Sequence, residues 1–305
     1  MGKLVRSITQ VGDNRLSVRL VRPPRNSLGT VFVPPLIGGT GMQQVHYFRG
    51  LNRMGYAIAT FDYRGHGKSN GRFSIRTSIT DSLAVLRDLL AQGMPQPLFG
   101  LGDCYAAIPL LVCASKFPKA FKALALMNAV PTLQHVAGPR EILANYFYTD
   151  GRFSWRHPFD IKGMLAATNT KLFPHVDKSR DHFGILDYKN THMALLVWEY
   201  LTSQPLQGVR VDVPTLVGYG TSDSILGLHN NAREEAYREG WRKVAPQSEM
   251  RPLPEIDHFF SETIHIGNDV PGEFFARIAG APRIPEPTFS VTPAIDSRRT
   301  TSEAV

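Results

Sequence analysis

The chain contains 305 residues, of which 43% are hydrophobic and 20% are charged, which is enough apolar sequence for one large α/β domain. No apolar run approaches the roughly 18 residues of a membrane span, the N-terminal residues lack the apolar segment of a secretory signal, and two cysteines do not make a disulfide framework. We therefore expect a cytoplasmic protein that has no membrane partner.

The net charge of +8 at pH 7 fits a basic soluble protein, and the alternative is an acidic partner such as nucleic acid, a membrane surface or an acidic carrier protein. The basic residues form no dense run interleaved with aromatic residues, so we do not expect nucleic acid to be that partner.

The first half of the chain predicts strands alternating with helices. Residues 5–33 alternate in hydrophobicity and break at Pro23-Pro24, which predicts two or three strands. Apolar periodicity and turn residues then predict, in chain order, a helix over 42–54, a buried strand over 56–63, a loop over 64–71, a helix over 79–93, a strand over 96–102, a helix from Cys104 to about Lys116 and a strand over 121–131. This alternation predicts βαβ units and a mostly parallel, doubly wound sheet.

The alternation stops between residues 133 and 207, a region that is rich in aromatic residues and predicted to be helical. It resumes with a strand over 211–220, a helix over 230–243, a strand near 248–253 and a helix around 271–279. The sequence therefore predicts a core made of residues 1–132 and 208–282, a helical cap over 133–207, and a disordered tail over 283–305 that is rich in Pro, Ser and Thr.

The segment GLGDCYAA (residues 100–107) resembles the strand–turn–helix that presents a catalytic nucleophile. Such a turn is so tight that the residues two before and two after the nucleophile must be small, and here they are Gly102 and Ala106. Cys104 stands at the nucleophile position, where the positive end of the following helix would favour a thiolate. The backbone N–H of Tyr105 is then a natural donor to an oxyanion. The alternative is that Cys104 is a small core residue of an inactive turn.

Two further residues stand at strand ends in the order that a nucleophile–acid–base triad requires. Asp223 follows the strand predicted over 211–220, and His258 lies in the loop after the strand near 248–253. Asp103 and Asp257 flank the site and are expected to tune its charge, whereas Cys113 is expected to be a core residue.

With the segment FDYRGHGKSNG (61–71), these motifs resemble those of the α/β-hydrolase superfamily. The resemblance implies that Cys104 is the nucleophile, Asp223 the orienting acid and His258 the base, without a metal or cofactor. It also implies a second oxyanion donor after the third strand. Here Pro35-Leu36 replace the usual His-Gly, so the N–H of Leu36 or Ile37 is the best candidate.

A cysteine nucleophile favours acyl exchange between thiols. Its acyl intermediate is a thioester, which is nearly isoenergetic with a thioester substrate, whereas an oxyester could return its acyl group to a thiol only uphill. The motifs Gly102-x-Cys104-x-Ala106, Asp223 and His258 resemble those of the cysteine-dependent aminoacyl transferases of nonribosomal peptide pathways. This resemblance implies acyl-loaded carrier proteins, or acyl-coenzyme A, as partners.

Carrier proteins are typically acidic, so the positive charge would steer one to the site. Several basic residues of the predicted cap are candidate contacts, although they could equally form a solvated face: Lys162, Lys171, Lys178, Arg180 and Lys189. The other readings are a cysteine hydrolase acting on thioesters, esters or lactones, a polyester synthase, and a non-catalytic scaffold.

Overall fold

The computed structural model describes residues 2–36, 39–129, 199, 202, 204–223, 226, 228, 231–256, 258 and 265–280. The predicted cap lies outside these residues except near its C-terminal end, and the predicted tail over 283–305 lies wholly outside them. The proposed domain boundaries therefore stay predictions.

The described strands form one sheet of eight strands in the order β1-β2-β4-β3-β5-β6-β7-β8. They are β1 (Leu4–Val11), β2 (Asn14–Val21), β3 (Thr30–Phe32), β4 (Ala57–Phe61), β5 (Leu98–Asp103), β6 (Phe121–Met127), β7 (Thr215–Gly220) and β8 (Ser248–Leu253). The pairs β1–β2 and β2–β4 are antiparallel, and all the other pairs in this order are parallel. The prediction of a mostly parallel sheet is confirmed.

Helices cover both faces of this sheet. They are α1 (Gly41–Tyr47), α2 (Arg49–Arg53), α3 (Ile75–Ala91), α4 (Ala107–Lys116), α5 (Asn231–Val244) and α6 (Ile266–Ala279). One buried cluster joins α3, α4 and α5 to one face through residues such as Val85, Leu110 and Trp241. A second cluster joins α2 and α6 to the opposite face through Leu51 and Phe275. None of the described helices is both long and apolar enough to cross a membrane.

Three helices differ from their predicted bounds, each for a local reason. The predicted helix over 42–54 is interrupted at Phe48, where α1 ends before α2 begins. Helix α3 begins at Ile75, four residues earlier than predicted, because the hydroxyls of Ser74 and Thr77 each accept the other residue's backbone N–H. Helix α6 begins at Ile266, five residues before the predicted start, so that a proline lies inside it.

The parallel strands all end at one edge of the sheet. The segments that follow β3, β5, β6, β7 and β8 meet there, as expected for the functional edge of an open α/β sheet. Cys104, Asp223 and His258 all lie in these segments.

Candidate active site

Cys104 occupies a strained turn between β5 and α4. Strand β5 ends at Asp103, a 3₁₀ turn covers Cys104–Ala106, and α4 follows directly. The φ angle of Cys104 is +49°, a left-handed conformation that costs a non-glycine residue about 1–3 kcal/mol. A strand, a left-handed turn at Cys104 and a helix follow one another here, which is the geometry that the sequence motif predicts.

The small residue two positions before Cys104 is required by close packing. A Cβ atom on Gly102 would lie 2.6 Å from Cα and 2.8 Å from N of Ala107, at the start of α4. Strand and helix can therefore approach this closely only with glycine at this position.

The acid and the base form a buried hydrogen-bonded pair. His258 Nδ1 lies 2.7 Å from Asp223 Oδ2, and the two side chains are 1% and 0% exposed. The other carboxylate oxygen of Asp223 accepts the backbone N–H of Leu226 at 2.8 Å, which fixes the carboxylate plane. Because Nδ1 of His258 is engaged by Asp223, Nε2 is the ring nitrogen left for a role as base.

The surrounding charges favour the imidazolium form of His258. Burial by itself lowers the pKa of His258, but the charge of Asp223, the charge of Cys104 and hydrogen bonds to both residues raise it well above its ordinary value. A proton that reaches His258 therefore finds a stabilised site on its ring.

The comparisons with known proteins agree with this fold. No family model matches the chain, and no match was found among curated proteins. Among solved structures, it is similar to the epoxide hydrolase CorEH, with a TM-score of 0.61 and 16% identity over 90% of this chain and 100% of that chain. It is similar to a lipase in its open form, with a TM-score of 0.60 and 14% identity over 91% and 99% of the two chains. It is also similar to Est1E from Butyrivibrio proteoclasticus with bound ferulic acid, with a TM-score of 0.57 and 14% identity over 90% and 99%.

The chain has the α/β-hydrolase fold. The fold prediction is confirmed, while the roles of Cys104, Asp223 and His258 stay predictions that rest on their geometry.

The candidate oxyanion donors lie on the segments expected in an α/β hydrolase. Tyr105 is in the turn directly after Cys104, and its buried hydroxyl lies 2.6 Å from Ser78 Oγ on α3. Leu36 follows β3, and its carbonyl accepts the N–H of Gly39 at 2.9 Å, which closes a tight turn. Ile37 lies outside the described residues, so the choice between Leu36 and Ile37 stays open.

The motif FDYRGHGKSNG holds the segment after β3 in place through Asp62. The fully buried Asp62 carboxylate accepts a hydrogen bond from each terminal nitrogen of Arg19, both at 2.8 Å. It also accepts the backbone N–H groups of Gly41 and Lys68, at 2.8 and 2.9 Å. Gly41 is the first residue of α1, directly after the candidate oxyanion segment. The sequence analysis missed this link, whose only sequence signal is the acidic residue directly after a buried strand.

Asp103, directly before Cys104, is a second buried carboxyl group at the site. Burial and the charge of Asp223 raise its pKa to about 7, against the opposing effects of His258 and the backbone N–H of Cys104. Within the described part of the chain, its Oδ1 atom is buried without a hydrogen-bond partner. Its position agrees with the expectation that Asp103 tunes the charge of the site.

Cys113 is a core residue, as expected, and His66 is a second buried residue with structural contacts. Cys113 is fully buried in the core and is not bonded to Cys104. His66 is buried, its Nδ1 lies 3.2 Å from the carbonyl of Arg64, and its ring packs against Phe73.

Proposed function

We propose that the protein is a cysteine-dependent acyltransferase that moves an acyl or aminoacyl group between thioesters. The observation that supports this most is that Cys104, in its strained backbone turn, lies beside the buried His258–Asp223 pair. A thiol held in this way is a nucleophile with a base at hand and an acid that orients the base.

The first half-reaction transfers the acyl group to the protein. The thiolate of Cys104 attacks the carbonyl carbon of the donor thioester and forms a C–S bond. The N–H groups of Tyr105 and of Leu36 or Ile37 stabilise the tetrahedral oxyanion. The intermediate then expels the donor thiolate, which takes the proton held by His258.

The second half-reaction reverses these steps with a different thiol. The acceptor thiol gives its proton to His258 and attacks the thioester carbonyl on Cys104. Collapse of the intermediate breaks the bond to Cys104 and leaves the acyl group on the acceptor. Because a thioester is exchanged for a thioester in both halves, neither half needs an external energy source.

The proposed partners are acyl-loaded carrier proteins, whose phosphopantetheine arm bears the thioester, or acyl-coenzyme A. The net charge of +8 supports this choice, since both kinds of partner carry negative charge. The basic residues of the predicted cap named above are the proposed contacts.

The second candidate is a cysteine hydrolase, in which water takes the place of the acceptor thiol. It is favoured by the similarity to solved structures that are named as a lipase and an epoxide hydrolase. The two candidates share the first half-reaction and differ only in the species that attacks the acyl-enzyme.

Intact-protein mass spectrometry tests the first half-reaction. We expect a mass increase on incubation with a panel of acyl- and aminoacyl-carrier thioesters and acyl-coenzyme A, and expect it to be absent in Cys104→Ala. Cys113→Ala is the matched control, because it removes the chain's other thiol, which is buried in the core. Loading that persists in Cys104→Ala would contradict the assignment of the nucleophile.

An empty carrier added to the loaded protein tests the second half-reaction. Appearance of the acyl group on that carrier establishes a transferase, and decay to free acid alone establishes a hydrolase. Cys104→Ser should slow transfer to a thiol and raise the share of hydrolysis, because the oxyester returns its acyl group to a thiol only uphill. Unchanged partitioning would contradict the argument from sulfur chemistry.

A further inference from the structure

Asn128 lies where β6 ends, at the same edge of the sheet as the candidate active site. It is the first residue after β6, it is fully buried, and its φ angle is +47°. Asparagine adopts this left-handed conformation more readily than most residues. Its backbone N–H donates to the carbonyl of Gly218 on β7 at 2.8 Å, so the chain stays attached to β7 up to this point.

The side chain of Asn128 connects the loop of the acid to the main chain of the base. Its Oδ1 accepts the backbone N–H of Gly220 at 2.8 Å, and its Nδ2 donates to the carbonyl of His258 at 2.9 Å. Gly220 ends β7 and stands three residues before Asp223. One amide group therefore bridges the two segments whose side chains form the Asp223–His258 pair.

The same two segments also touch directly. The backbone N–H of Ser222 donates to the carbonyl of Ile256 at 3.1 Å, and a Cβ atom on Gly220 would overlap that carbonyl oxygen. Further hydrogen bonds between the two segments add to this contact and to the amide of Asn128. The amide of Asn128 is the part of this link that bonds the main chain of His258 itself.

We propose that Asn128 is a positioning residue that sets the geometry of the Asp223–His258 pair and, through it, the reactivity of the Cys104 thiol. The inference rests on the proposed function, in which His258 serves Cys104. A misplacement of about 1 Å in a catalytic group costs about 100-fold in rate. Losing the amide link from Asn128 to the main chain of His258 allows His258 to shift against Asp223.

The pH dependence of Cys104 alkylation tests the proposal without needing the substrate. Iodoacetamide reacts with thiolates, and peptide mass spectrometry distinguishes Cys104 from the buried Cys113. The test variant is Asn128→Gly, which removes both side-chain bonds and tolerates the positive φ angle. Asn128→Asp keeps an acceptor for Gly220, and His258→Ala marks the complete loss of the base.

Asn268→Ala is the matched control. Asn268 is also a buried asparagine that bridges two backbone groups, accepting from Leu51 N–H at 3.3 Å and donating to the carbonyl of Tyr47 at 3.1 Å. It joins α6 to α1 and α2 and takes no part in the proposed chemistry. Its loss therefore reports the effect of removing a buried amide elsewhere in the fold.

We expect Asn128→Gly to lower the alkylation rate of Cys104 at pH 6.5 by about tenfold, because a displaced His258 supports a smaller fraction of reactive thiolate at this pH. Asn268→Ala should keep the wild-type profile, and Asn128→Asp should fall between the wild type and Asn128→Gly. If Asn128→Gly does not fold, a lowered alkylation rate of Cys104 in Asn128→Asp tests the proposal instead.

Two results would overturn the role of Asn128. One is a wild-type profile in the folded Asn128 variants, and the other is an equal shift in Asn268→Ala. A wild-type protein whose alkylation profile is that of an ordinary thiol and is unchanged by His258→Ala would instead refute the proposed function, and the inference with it.

Discussion

Replacing Asp103 with asparagine should make the protein more stable, relative to the wild type, at pH 8 than at pH 5. Burial raises the pKa of Asp103 from its ordinary value of 3.8 to about 7 in the folded protein. Between pH 3.8 and about pH 7, the carboxyl group of Asp103 keeps its proton in the folded state and has lost it in the unfolded state. The wild-type protein therefore loses stability as the pH rises towards 7, and the asparagine variant lacks this loss.

The size of the effect follows from the same pKa. Each tenfold difference in proton affinity corresponds to about 1.4 kcal/mol, so the full contribution between pH 3.8 and pH 7 is on the order of 4 kcal/mol. About two pH units of this interval lie above pH 5, which leaves an expected change of about 3 kcal/mol between pH 5 and pH 8. Since protein interiors relax around a buried charge, a measured change as small as about 1 kcal/mol would still support the argument.

Urea unfolding of the wild type and Asp103→Asn at pH 5, 6, 7 and 8 measures this quantity. The asparagine amide can itself lack a partner, but that cost is the same at each pH and cancels in the comparison. Asp212→Asn is the control, because the Asp212 side chain is 66% exposed and should give a flat difference. If the difference in unfolding free energy between Asp103→Asn and the wild type were also independent of pH, Asp103 would ionise with an ordinary pKa and the reasoning would be refuted.

Three further substitutions test the contacts that build the site. Asp62→Asn leaves the buried Arg19 without its ion-pair partner and should cost about 3–5 kcal/mol in urea unfolding, where a loss below 1 kcal/mol would contradict the role of this contact. Gly102→Ala would force a methyl group against Ala107 and should cost about 1–3 kcal/mol and lower acyl loading, and an unchanged loading rate would show that the turn is not tight. Glu199→Ala removes a carboxylate that accepts the first two backbone N–H groups of α3, at 2.9 and 3.0 Å. It should cost about 1 kcal/mol in thermal unfolding, and no change in melting temperature would show that this cap is not stabilising.

Sequence pattern was enough for the features that depend on neighbours along the chain. Apolar periodicity predicted the order of strands and helices, because one face of each element has to be buried. The nucleophile turn could be predicted because its steric demand falls on Gly102 and Ala106, two residues on either side of Cys104. The positions of Asp223 and His258 followed from strand ends, since parallel strands bring those ends to one edge of the sheet.

Helix boundaries were predicted less well, for reasons that were also local. The sequence predicted the last helix only around 271–279, but the structure carries α6 back to Ile266, with Pro271 inside it. The start of α3 was missed because Thr77, rather than Glu or Gln, completes the capping box with Ser74.

Only the tertiary structure decided the contacts between residues that are far apart in sequence. Asn128 bonds to His258 across 130 positions, and Arg19 pairs with Asp62 across 43. No periodicity in a single chain encodes such pairs, because each depends on how strands from different parts of the sequence are ordered in the sheet. The raised pKa of Asp103 arises in the same way, from burial and from the charge of Asp223, which the loop after β7 brings to the end of β5 against the opposing charge of His258. The sequence determined which residue could act as the nucleophile, and the packing of the sheet determined the charges and the hydrogen bonds around it.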